Sequence, residues 1–117
     1  MRWKLTERAG PKVKRRSFPD AEQALDALED RGRELATETP DRAVDVRFKR
    51  FEAGEQVVAR LEVSGPQRLV PSVRAGVDVR GDGSVQAYRG RIKREVIEPK
   101  RAESAFAALR RAVTESR

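Results

Sequence analysis

Apolar residues recur with period two over most of this chain and with period 3.6 in two stretches. Trp3 and Leu5 alternate with Arg2, Lys4 and Thr6, which predicts a short strand. Ala9-Gly10-Pro11 marks a turn into a second strand, Lys12 to Phe18. From Pro19 the period lengthens, and Ala21, Ala24, Leu25, Leu28 and Leu35 fall on one face of a helix expected from Asp20 to Ala36. Asp20 with Gln23 three residues later fits a capping box, in which each side chain satisfies an orphan amide at the helix start. Gly32 weakens the end of this helix, and Thr37-Glu38-Thr39-Pro40-Asp41 is expected to stop it.

Four further strands are expected. Val44, Val46 and Phe48 alternate with Asp45, Arg47 and Lys49; after the turn Glu52-Ala53-Gly54-Glu55 come Val57, Ala59, Leu61 and Val63. Ser64-Gly65-Pro66 breaks that strand, Val73, Ala75, Val77 and Val79 form the next, and Gly81-Asp82-Gly83-Ser84 is a strong turn signal. The sixth strand is expected from Val85 to about Ile97, bent at Gly90. Pro99 opens a final helix with Ala102, Ala105, Phe106, Leu109 and Val113 on its apolar face. The order is ββαββββα. Hairpin-linked strands without βαβ alternation predict an α+β two-layer sandwich, an antiparallel sheet with both helices on one face, built as one domain over residues 1–117.

One internal echo bears on strand phase. Lys12-Val13-Lys14-Arg15-Arg16-Ser17-Phe18 resembles Arg91-Ile92-Lys93-Arg94-Glu95-Val96-Ile97, and the helices that follow match as well. Two similar strand–helix units, or chance likeness between Ala-rich helices, give the same pattern. Phasing the sixth strand by Tyr88, Ile92 and Val96 and the second by Val13 sets these residues inward. The core is then expected to include Trp3, Leu28, Phe48, Leu61, Ile92 and Phe106.

Charge changes the picture. The net charge is +7, from 26 Lys and Arg against 19 Asp and Glu. Residues 1–18 carry seven cations against one acid and residues 89–117 nine against four, so two basic ends flank an acidic middle. With the apolar set turned toward the helices, the outward list becomes Arg2, Lys4, Lys12, Lys14, Arg16, Arg47, Lys49, Arg60, Arg74, Arg80, Arg89, Arg91 and Lys93. The acids on that face are Asp45, Glu62, Asp78 and Glu95, while the first helix is mostly acidic. An ordinary solvated sheet face would mix its signs, because like charges opposite one another across strands are destabilising. A face that tolerates such crowding implies a polyanionic or acidic partner.

The chain lacks His and Cys, which removes the usual neutral-pH base, the commonest metal ligand and thiolate chemistry. No Gly-rich phosphate loop occurs, and Asp78 and Asp82 with Gly81 and Gly83 read as a hairpin turn rather than a calcium loop. No catalytic residue, cofactor or metal is therefore expected. No apolar run approaches the roughly 20 residues of a membrane span, and a cytoplasmic protein is the expectation. The function expected is non-catalytic nucleic-acid binding, DNA or RNA with little sequence preference, through phosphate contacts from Lys12, Lys14, Arg16, Arg47, Lys49, Arg89, Arg91 and Lys93. Outward aromatics are scarce, so base stacking is not expected. The alternative is a protein-interaction module that docks an acidic partner or associates with a second copy through an open sheet edge.

Overall fold

The computed structural model describes residues 2–44, 56–66, 71–90 and 93–116. Six strands form a single antiparallel sheet: β1 (Trp3–Ala9), β2 (Lys12–Phe18), β3 (Val57–Gly65), β4 (Val73–Arg80), β5 (Val85–Arg89) and β6 (Glu95–Val96). Their order in space is β2-β1-β3-β4-β5-β6. Among the described residues two helices, α1 (Ala21–Val44) and α2 (Ala105–Ser116), pack on one face. The α+β class and the ββαββββα order agree with the sequence pattern, but the bounds of three elements differ.

The first difference is at Gly90. The expected long sixth strand is two short ones: the chain reverses after Arg89, and β6 returns antiparallel, pairing Tyr88 with Val96 and Arg89 with Glu95. Gly90 has φ +112°, which L side chains avoid, and an added Cβ there would strike the Lys93 carbonyl. The second difference is α1, which ends at Val44 rather than at Ala36. Its course continues through Thr37, whose hydroxyl donates to the Arg33 carbonyl at 2.9 Å. Val44 is thus helical, and the rest of the strand expected over 44–48 lies outside the described residues.

Both helices begin at side-chain caps. Asp20 accepts from the Gln23 amide at 2.8 Å, while the Gln23 side chain donates to the Asp20 carboxylate at 3.1 Å instead of completing the box. α2 starts at Ala105, not near Pro99, because Ser104 caps the Ala107 amide and Ala102 has φ +67°.

The core lies between sheet and helices. Trp3, Leu5, Leu61, Val63, Val77 and Val79 from the strands meet Leu25, Leu28, Phe106, Leu109 and Val113 from the helices, all buried. Phe48 and Ile92, also expected in the core, fall outside the described residues. Gly32 has a packing role: a Cβ there would come within 2.6 Å of the Phe106 ring. The bare backbone lets the aromatic of α2 lie against α1. Arg110 then ties the helices together through Asp26 at 2.7 Å and Glu29 at 3.2 Å. Burial opposes ionisation of Glu29, but hydrogen bonds from Arg33 and Arg110 outweigh it and hold its carboxyl below the usual range. Among the described residues no helix is long and apolar enough to cross a membrane.

Candidate functional site

The two hairpin registers decide which side chains share the open face. Gly10 takes φ +60° and the two-residue turn Gly10-Pro11 pairs Ala9 with Lys12, so Leu5 faces Arg16 and Trp3 faces Phe18 across the strands. Lys12, Lys14 and Arg16 therefore share the helix-side parity of Trp3 and Leu5, and the outward residues of β2 are Val13, Arg15 and Ser17. This reverses the expected phase of β2. Val13 is 40% exposed rather than inward, and the Arg16 guanidinium lies 5.0 Å above the Phe18 ring. The echo keeps its parity at Phe18 and Ile97, both turned to the helix side; the phase taken from Val13 and Val96 is one residue off.

The same slip applies to β5. Val77 pairs with Ala87 and Gly76 with Tyr88, so Ala87 faces the helices and Tyr88 the open side. Arg89 and Glu95 accordingly sit on the helix side, paired at 3.3 Å. Lys93 is exposed in the β5–β6 turn, while Arg47, Lys49 and Arg91 lie outside the described residues. The five of the eight expected contacts that are described do not gather on one surface: Lys12, Lys14 and Arg16 line the helix side of β2, Lys93 lies in the β5–β6 turn, and Arg89 stands at the opposite end of the sheet.

A different set occupies the open face. Lys4 and Arg8 come from β1, Arg15 from β2, Arg60 from β3, Arg74 and Arg80 from β4, and Arg94 stands just before β6. These seven cations share the surface with two strand carboxylates, Glu62 and Asp78. Both acids are engaged. Asp78 accepts from Arg60 Nε at 2.6 Å and from Arg60 Nη2 at 3.2 Å, a bidentate pair. That hydrogen bond, against the opposing effect of burial, raises the Arg60 pKa and keeps it charged. Glu62 accepts from Arg74 Nη1 at 3.1 Å and from the Tyr88 hydroxyl at 2.8 Å. Arg80 bonds the Gln86 side chain.

Tyr88 organises this layer. Its cross-strand neighbour is Gly76, and an added Cβ at Gly76 would meet the Tyr88 hydroxyl at 2.9 Å, so the missing side chain is what lets the ring reach across to Glu62. The ring is 3% exposed. Arg60 lies 5.4 Å and Arg94 4.9 Å from its centroid. The register places these two cations one row to either side of Tyr88, so the ring is flanked by both. Burial, then the Glu62 charge, raises the phenol pKa far above its usual value, and the hydroxyl remains a donor.

Among the described residues Lys4, Arg8 and Arg15 have no carboxylate within ion-pair distance, and Arg8 sits directly opposite Arg60 on β3. On the helix side the balance differs, because Arg31 pairs with Glu7 at 2.9 Å and Glu34 at 2.8 Å, and Arg33 with Glu29 at 2.8 Å. No three His, Cys, Asp or Glu side chains come together as a metal site among the described residues. Arg8, Arg15 and Arg94 are not among the expected contacts, and Tyr88, expected inward, lies on the open face. The signal for them was turn length: a two-residue turn at Gly10-Pro11 sets Phe18 opposite Trp3, and the tight turn after Val79 sets Tyr88 opposite Gly76. Comparison with protein-family models returns no match, and comparisons with curated proteins and with solved structures return none either.

Proposed function

We propose that this protein binds nucleic acid without catalysis, through phosphate contacts on the open face of its sheet. The observation that carries the reading is the charge of Lys4, Arg8 and Arg15, which no carboxylate among the described residues pairs, beside an Arg60–Arg74–Arg94 cluster whose carboxylates are already engaged. Arg8 faces Arg60 across the strands; Asp78 neutralises Arg60 through both its oxygens, and Arg8 is the cation of the two to which a ligand phosphate would add. The band runs from β2 to β6, five inter-strand gaps of about 4.8 Å, or roughly 24 Å. Arginine forks suit phosphate oxygens, and binding of this kind releases counterions.

A fluorescence-anisotropy titration of labelled oligonucleotides across salt tests the reading. Contact with about five phosphates gives a slope of log K against log salt near −3.5 for a single strand. Replacing Lys4, Arg8 and Arg15 together by Gln leaves the fold intact and reduces the slope to about −1.4. No binding, or an unchanged slope in the triple variant, overturns it.

A second reading rests on the β2 edge. Lys12 to Ser17 are all exposed, the outer side of β2 pairs with no strand among the described residues, and Lys12, Lys14, Arg15 and Arg16 carry no acid among them. An acidic extended segment of another protein adding to this edge is the partner that fits. Pairing of two β2 strands would instead set cations beside cations.

A further inference from the structure

We infer that the ligand is single-stranded nucleic acid and that Arg94 is a stacking site for one of its bases; this rests on the nucleic-acid reading above. The apolar periodicity turns the one tyrosine into the core and so predicts no base contact. The register moves that ring to the ligand side.

Three observations carry the inference. The Arg94 guanidinium lies 4.9 Å from the Tyr88 centroid, yet it makes neither ion pair nor hydrogen bond with any described residue. Among the described residues the Tyr88 ring is what holds it, and the residue is exposed. Arg60, on the other side of the ring, is fixed by both oxygens of Asp78. The Arg60 flank of the ring is therefore closed by a committed guanidinium, and the Arg94 flank ends in an uncommitted one. Thirdly, Val96 is cross-strand to Tyr88 and 44% exposed on the same face. A planar cation backed by an aromatic ring and bordered by apolar surface offers one side to a flat, polarisable group. Bases splayed from single strands stack on arginine planes in this way. In a duplex the base faces are covered by their neighbours, so the same site meets only phosphate and sugar.

The backbone contacts are compatible with that geometry. Arg74 Nη1 and the Tyr88 hydroxyl both rest on Glu62, and Lys4 shares the cross-strand row of Arg74 through Ser64. A strand laid across the sheet meets Arg15 and Lys4 at one end and presents a base to Arg94 at the other.

The test uses three labelled probes of equal length, about a dozen residues, well within known single-strand site sizes: oligo-adenylate, the same phosphodiester chain lacking bases, and a duplex. The wild-type protein is expected to bind oligo-adenylate about tenfold more tightly than the abasic chain, as one stacked base supplies. Arg94→Lys keeps the charge but not the plane. It is expected to erase most of that tenfold while leaving abasic and duplex binding, and the salt slope, unchanged. Equal binding of abasic and base-bearing strands by wild type, or an Arg94→Lys variant that keeps the full difference, overturns the inference while phosphate binding stands. Failure to bind any probe overturns the reading beneath it. A ribose and a deoxyribose version of the adenylate probe identify which sugar the site prefers.

Discussion

The two faces of this sheet are built on different principles from the same strands. Toward the helices, Leu61, Val63, Val77 and Val79 are buried among apolar neighbours, and the driving force is area removed from water. On the other side the centre is also closed, but by a polar lattice: Tyr88 over Gly76, Glu62 beneath its hydroxyl, Asp78 gripping Arg60. Its energy comes from matched charges and hydrogen bonds, which are individually modest and costly when half broken. The apolar face tolerates imprecision and supplies stability. The polar face tolerates little, and supplies a fixed arrangement of cations.

The sharpest break of that comparison is on the helix side. Phe106→Ala removes a ring that is 5% exposed and packed against Gly32, and is expected to cost about 3–5 kcal/mol in urea unfolding. A cost under 1 kcal/mol would mean that α2 is not docked as described. On the polar side, Tyr88→Phe keeps the ring and deletes only the hydroxyl that donates to Glu62. The expected loss is about 1.5–3 kcal/mol, the range for a hydrogen bond to a charged group. Indifference to this change would show that the lattice follows the fold rather than supporting it. At the rim of the sheet the effect is smallest. Val13→Ala is expected to shift stability by no more than about 0.5 kcal/mol, since the side chain faces outward and is 40% exposed. A larger loss would restore the inward phase that the strand echo suggests.

What was legible in the sequence follows the same division. Where each strand offers three or four apolar residues of one parity, as Ala59 to Val63 and Val73 to Val79 do, period two alone set the inward face; Val57, expected inward with them, is 42% exposed because the register shifts between Val57 and Ala59. Arg60, Arg74 and Arg80 were placed outward on that basis. β2 offers only Val13 and Phe18, five apart and so of opposite parity, and the pattern cannot choose between them. Turn geometry chooses, through the pairing of Ala9 with Lys12. Tyr88 misled for a different reason: an amphipathic ring counts as apolar in a periodicity, yet its hydroxyl needs a partner, and Gly76 makes room for one. Gly90 was read as a bend when its φ of +112° makes it a reversal. The helix caps at Asp20 and Ser104 are local chemistry; Asp20 was readable directly, whereas Ser104 was hidden behind the Pro99 start signal.

Among the described residues no strand covers the outer rim of β2, and mutual repulsion among Lys12, Lys14, Arg15 and Arg16 opposes one molecule's rim zipping onto another's. Repulsion of that kind reaches about 10 Å in 0.1 M salt and about 3 Å in 1 M. Colloidal behaviour is therefore written into the buffer as much as into the fold: dilute electrolyte keeps the molecules apart, and brine lets them meet.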